Sequence, residues 1–234
     1  MKLEVIVFLT IISAIQNISY SQVGPFYPFE ANARGVSPAI IGFIVGSFSV
    51  SYIISAVVSG KYLSKIGKAT GLKFGMMLIV VQLYGLGALK YVESSIAFVV
   101  FSVFAQSVGG IGAGINTTCG IAIITNLFPE DREFNIGIFE AGAGFGLLLG
   151  PLIGTALYTA GGYIAPFWFI GTICVLLIPL LQHTVGVIKK QEAIDTAKKM
   201  VQHYINKVNM DEIRRDFHRH RKNRSEDLSP RFFS

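Results

Sequence analysis

The 234-residue sequence predicts an all-α integral membrane protein, a six-transmembrane-helix bundle followed by a basic cytosolic tail. Three observations carry that prediction. Apolar residues make up 52% of the chain and charged residues only 15%, with a mean hydropathy of +0.56, whereas a soluble domain carries roughly a quarter charged residues. The charge is also segregated: 12 of the 20 Lys and Arg and 7 of the 14 Asp and Glu fall in positions 183–234. Residues 1–182 therefore read as a lipid-adapted domain and 183–234 as a separate tail. Finally, a span needs about 20 mostly apolar residues, so six fit into the first 182 positions with short connections. A nucleic-acid binder would spread its net charge of +6 over a folded surface. The segregation here excludes that class and makes the lipid bilayer the primary partner.

Taken in order, the apolar stretches run Leu3 to Val23, Ala39 to Leu63, Leu72 to Tyr91, Ile96 to Phe128, Phe134 to Tyr158 and Tyr163 to Leu181. The first has an alternative reading as a secretory signal, with Lys2 as a basic start, Val5 to Ala14 as the apolar region and Ser19 to Ser21 as a cleavage zone. Its apolar run continues to Val23, however, and carries Gln16, Asn17 and Ser19 at interior depth, which suits a helix facing a cavity. After it, Gly24 to Gly35 (GPFYPFEANARG) reads as a loop. The fourth stretch is long enough to tilt or to extend past the hydrocarbon. Cys119 and Cys174 fall inside spans and read as small core residues.

With six spans the connections alternate sides, which sorts the basic residues. Lys2, the cluster Lys61, Lys65, Lys68 and Lys73, Arg132 and the tail share one side; only Arg34 and Lys90 fall on the other. Positive residues favour the cytosol, so both termini are expected there. The organelle is not encoded in this pattern.

In the tail, Ile194, Ala197, Val201, Tyr204, Ile205 and Val208 recur near helical spacing, with Lys189, Lys190, Lys198 and Lys199 as the basic component. That predicts an amphipathic surface-lying helix, read by preference as the cytosolic linker between the two halves of a twelve-helix membrane protein. Arg214 to Arg224 is then a basic run able to touch anionic lipid or to remain disordered. His218 and His220 stand two apart, a poor metal geometry, and no other ligand spacing, phosphate loop or nucleophile–base pair rises above background. No metal, cofactor or catalytic residue is expected, and the chain does not read as an enzyme.

The most informative stretch is Glu140 to Tyr163, EAGAGFGLLLGPLIGTALYTAGGY. Gly142, Gly146, Gly150 and Gly154 repeat every four residues and lay a ridge without side chains along one helix flank, where another helix can approach closely. Pro151 has no N–H for the Leu147 carbonyl, so the helix should bend or loosen there. This pattern, Gly146-x-x-x-Gly150-Pro151-x-x-Gly154, resembles the fifth-helix motif of the major facilitator superfamily that is associated with proton-coupled antiporters; Thr155 is a small departure from it.

Further stretches resemble the same family. Gly60 to Gly71 (GKYLSKIGKATG) is similar to its cytoplasmic loop signature, with Gly60, Lys65, Gly67 and Lys68 in place and Ser64 where an acidic residue is usual. That substitution removes a carboxylate expected to take part in gating. Gln106 to Thr118 is similar to the family's arginine-plus-glycine motif, with Gln106 in the arginine's place, and a glutamine cannot tune a carboxylate by charge. Phe128 to Arg132 resembles the family's acidic-basic cytosolic turn, and Gly24 to Gly35 resembles the first luminal loop of the vesicular amine and polyamine transporter branch. The resemblance spans about residues 5–182 and implies the N-terminal half of a facilitator fold, built as 3+3 inverted repeats. The chain echoes itself accordingly: Gly60-x-x-Leu63-x-x-x-Gly67 recurs as Gly154-x-x-Leu157-x-x-x-Gly161.

Glu140 is the only carboxylate placed well inside an expected span, about six residues or ~9 Å from its start at Phe134. It reads either as a snorkelling residue or as a group that binds a proton or a cationic amine. Gln16, Asn17, Ser19 and Tyr20, with Gln106, Asn116, Thr117 and Thr118, are further candidates, because in this family the helices that carry them line the cavity. The competing reading is interhelical hydrogen bonding, worth about 0.6 kcal/mol each. The expected function is alternating-access transport of a small organic solute, with an organic cation as one option, by a chain that pairs with a second six-helix half or with itself. The alternative is a non-transporting truncated or assembly subunit.

Overall fold

The computed structural model describes residues 2–181 and, beyond them, positions 186, 190, 193, 194, 197, 198, 200–202, 204, 205 and 210. Outside the described residues lie Lys189, Lys199, Val208 and the run Arg214 to Arg224 with both of its histidines, and also the side chains of Lys2, Ser64 and Lys65. The chain forms two units, Met1–Ile188 and Lys189–Ser234. In the second, the described positions are helical.

The first unit is built from helices α1 (Lys2–Ser21), α2 (Val23–Ala33), α3 (Pro38–Ile66), α4 (Lys68–Ala88), α5 (Ser95–Leu127) and α6 (Arg132–Gly161), with α7 over Ile164–Leu181. They make six stretches long and apolar enough to cross a membrane: Leu3–Ala33, Pro38–Tyr62, Lys68–Tyr91, Ser95–Leu127, Arg132–Gly161 and Ile164–Leu181. The protein is a multi-pass integral membrane protein. The fourth span, at 33 residues, is about 50 Å long, well beyond a hydrocarbon core of about 30 Å.

Helix ends follow local chemistry. Ser37 precedes Pro38 and accepts from the Ile40 N–H at 3.4 Å, while Ser94 caps α5 by accepting from Ala97 N–H at 3.5 Å. Gly67 (φ +83°) turns the chain between α3 and α4, and Gly162 (φ +72°) does so between α6 and α7. These two turns stand at equivalent places in the two repeats, one residue out of register with the sequence echo.

The expected loop at Gly24 to Gly35 is instead the helix α2, which extends span one to Ala33. Pro25 cannot donate to the Ser21 carbonyl and its ring crowds that turn, so the helix is interrupted at Gln22 rather than ended. Its real end is a Schellman cap. Gly35, at φ +76°, donates to the Asn32 carbonyl at 2.9 Å, and Val36 donates to Ala31 at 3.1 Å.

The principal contacts pair α1 with α6, α3 with α5, and α4 with α5. Span three meets span six through Tyr84 and Thr172, whose hydroxyls lie 3.0 Å apart, and through Tyr84 and Trp168, with ring centroids 5.9 Å apart. Spans one and six meet at Phe26 and Phe167, 5.5 Å apart. Exchanging spans one, two and three with four, five and six maps the contact of spans two and four onto that of five and one, and the contact of three and six onto itself. The packing thus obeys the symmetry of a 3+3 repeat. Helix association in lipid gains little from apolar burial and depends on close packing, which the glycines provide. A methyl group at Gly142 would lie 2.6 Å from Thr10 Cγ2, one at Gly146 would fall on the Ala14 carbonyl, and one at Gly154 would lie 2.9 Å from Gln22 Cβ.

Candidate functional site

Four helices converge on one groove of about 240 Å³. Ser13, Gln16, Asn17 and Tyr20 line it from α1, Phe48, Ser49 and Tyr52 from α3, Ala113 and Thr117 from α5, and Phe139, Glu140, Ala143 and Leu147 from α6. The spacings of three and four in each set are the spacing of one helix face. Spans one, two, four and five, two from each repeat, therefore each turn one face toward a shared space.

The groove joins a polar floor to an aromatic wall. Gln16 Nε2 donates to Thr117 Oγ1 at 3.1 Å, clasping the first helix of one repeat to the first helix of the other. Asn17 Nδ2 donates to the Ser13 carbonyl at 2.8 Å, and the residue lines the groove. The Tyr20 and Phe48 rings stand 4.6 Å apart at 31°, with Tyr52 one helical turn beyond Phe48. Glu140, exposed, lines the groove from α6 and is the only carboxylate among the lining residues. Because α6 begins at Arg132, Glu140 is eight residues in, about 12 Å from the helix start, deeper than the sequence alone indicated.

Of the sequence candidates, Gln16, Asn17, Tyr20, Thr117 and Glu140 are brought together here. Ser19, Gln106 and Asn116 are buried elsewhere. Ser19 Oγ donates to the Ile15 carbonyl at 2.8 Å, and Gln106 Oε1 accepts from Gln82 Nε2 at 2.8 Å inside the α4–α5 contact. Asn116, 2% exposed, abuts Gly75, where a methyl group would lie 2.9 Å from its Cγ. Thr118 Oγ1 donates to the Gly114 carbonyl at 2.8 Å. Among the packing candidates, the ridge Gly142, Gly146, Gly150 and Gly154 is buried against α1 and α2, Pro151 is half-buried on the same helix, and Gly60 faces open space.

Sequence reasoning missed two features. Phe48 and Tyr52 sit four apart in Ser47 to Tyr52 (SFSVSY), where serines inside an apolar run were the available signal. The second is Glu30, whose Oε1 accepts from Arg34 Nη1 at 2.8 Å and from Lys90 Nζ at 3.3 Å. Arg34 also stacks on Phe98 at 4.7 Å and donates through Nε to the Val92 carbonyl at 3.4 Å. The two basic residues that charge sorting placed on one side thus share a carboxylate at one end of the bundle.

Comparison with known proteins agrees with this architecture. Residues 7–220 match the family description Major Facilitator Superfamily. The MFS-type transporter SLC18B1 of mouse is 33% identical over 178 residues, covering 74% of this chain and 39% of the relative; the human protein of the same name is 32% identical over the same length. A vesicular acetylcholine transporter of Drosophila melanogaster is 28% identical over 157 residues, covering 65% of this chain and 25% of the relative. The chain thus spans about two fifths or less of the length of these curated relatives. With six spans packed as a 3+3 repeat around a common groove, the chain belongs to the major facilitator superfamily of membrane transporters and resembles its vesicular amine transporter branch.

Proposed function

We propose that this chain supplies one half of an alternating-access pathway for a small organic cation, with the second half contributed by another six-helix bundle. The four-helix groove carries this reading. At about 240 Å³ it is smaller than the 300–1,000 Å³ or so of sites that enclose a ligand, and it is open rather than enclosed. The Tyr20, Phe48 and Tyr52 rings offer π faces to an ammonium, an interaction worth about 0.5–2 kcal/mol that strengthens away from water. Glu140 supplies the countercharge, and release follows when its carboxylate is rehydrated or protonated on the other side of the membrane. Acetylcholine, in the name of one relative, is a cation of this chemistry. In this reading both termini face the cytosol, supported by the sorting of Lys and Arg between the connections.

The second reading, a non-transporting assembly subunit, is favoured by one observation. Gln106 occupies the place of the family's arginine and pairs with neutral Gln82, so the α4–α5 contact carries no charge there. Gradient-driven uptake of labelled amines separates the two readings, measured on vesicles holding the complex extracted from its own membrane, beside Glu140→Gln. Transport by an assembly heavier than 25.5 kDa, with uptake or its pH dependence lost in Glu140→Gln, supports the first. Absent uptake, or a variant with both properties intact, overturns it.

A further inference from the structure

Among the described residues the last stretch apolar enough to cross a membrane runs to Leu181, and the second unit begins at Lys189. Its described positions from Lys190 to Met210 are helical. At 100° per residue, Ile194, Ala197, Val201, Tyr204 and Ile205 fall within an arc of about 100°, with Lys198 and Gln202 on one side of it. The stripe is uncovered: Val201 is 58% exposed, Tyr204 70% and Ile205 45%.

Three observations name what covers such a stripe. Ala193 stands twelve residues past Leu181 in sequence, so this segment follows closely on the last apolar stretch. Positions 183–234 carry 12 of the chain's 20 Lys and Arg against 7 of its 14 Asp and Glu, a basic excess that complements an anionic surface. The helix joins an aliphatic stripe to a tyrosine and to lysines, the residue types whose apolar stems and polar tips suit a lipid headgroup boundary.

We propose that the helix after span six lies in the interface of an anionic bilayer, its Ile194–Val201–Ile205 stripe among the acyl chains and its lysines at the headgroups. The binding partner is lipid, specifically anionic phospholipid.

The test uses the full chain in nanodiscs of phosphatidylcholine, with and without phosphatidylserine. Trp168 is the sole tryptophan, so Trp168→Phe with Tyr204→Trp leaves one indole at position 204. In phosphatidylserine discs its emission should be blue-shifted and quenched by brominated acyl chains, and Val201→Glu should abolish the quenching. Lys198→Gln should weaken insertion about fivefold. Cys119 and Cys174 are buried, so Tyr204→Cys with a nitroxide label gives a second reading with Trp168 in place: collisions with oxygen should exceed those with an aqueous nickel chelate. Solvent-like, unquenched emission in both discs overturns the proposal. So does a shielded indole that brominated lipid leaves unquenched, which would mean that protein covers the stripe.

Discussion

The contact of span one with span five and that of span two with span four are equivalent under the repeat symmetry, yet they are built differently. In the first, the glycines lie in a row on α6, Pro151 sits in the middle of them, and the facing helix is itself interrupted at Gln22. In the second, Gly110 and Gly114 of α5 receive α3, which runs unbroken for 29 residues. Gly42 and Gly46 of α3 face open space and play no part. Polar satisfaction differs too. Gln22 is fully buried with neither side-chain polar atom partnered, while Ser55 in the second contact donates to the Tyr52 carbonyl at 3.0 Å and reaches the Gly110 carbonyl at 3.4 Å. Two helices that each lack backbone hydrogen bonds at the same level make a compliant seam. Two continuous helices, with Ser55 satisfied where they meet, make a stiffer one. The lesson is that a symmetric fold can place its flexibility on one side only, through where prolines and glycines fall.

Six substitutions would break or sharpen this contrast. The largest effect is expected at the close approaches, where Gly146→Val pushes a side chain into the Ala14 carbonyl and Gly110→Val into that of Phe48. Each should cost about 3 kcal/mol by thermal unfolding in detergent. Gly144→Val, with nothing within 4 Å of its added Cβ, should cost little more than nothing. If all three behaved alike, close packing would not be what holds these seams.

A smaller change of opposite sign is expected at Gln22. Replacing a buried, unpartnered amide with Leu removes a desolvation cost of about 1–3 kcal/mol, so Gln22→Leu should raise the melting temperature. Ser55→Ala should lower it by about 1 kcal/mol's worth. A loss of stability in Gln22→Leu would show that the amide is satisfied in the folded membrane protein and would remove one leg of the comparison. The smallest effect is expected from Pro151→Ala, which restores a donor to the Leu147 carbonyl. Amide exchange around 147–151 should slow while overall stability changes by less than about 1 kcal/mol, and unchanged exchange would place the compliance elsewhere.

How far the sequence alone reached follows from contrast. The six spans stand out because charge is nearly absent from residues 3–181 compared with the tail, and Gln16, Asn17, Tyr20 and Glu140 stand out as polar groups in apolar runs. Their facing does not. Ser19 is as polar as Asn17, but it is turned about 200° around α1 from it and bonds its own helix. Membrane helices are apolar on all sides, so no hydrophobic stripe tells which face is inward. For the same reason Phe48 and Tyr52 look like lipid-facing aromatics in sequence, and only the serines around them mark the difference. The helix α2 was hidden because Gly24, Pro25 and Pro28 read as a loop, and only the Schellman cap at Gly35 marks where the helix ends. Glu30 lay inside that misread segment.

The central claim is that the groove between spans one, two, four and five is a water-filled solute site. Ala143→Cys tests it most directly, because it sits on the groove wall one turn from Glu140 and both native cysteines are buried. In native membranes, a membrane-impermeant maleimide should label this position from one side. Organic cations should slow the labelling, and Glu140→Gln in the same background should remove that protection. A position closed to aqueous reagent from both sides, or labelled at a rate indifferent to every organic cation tried, would contradict the account.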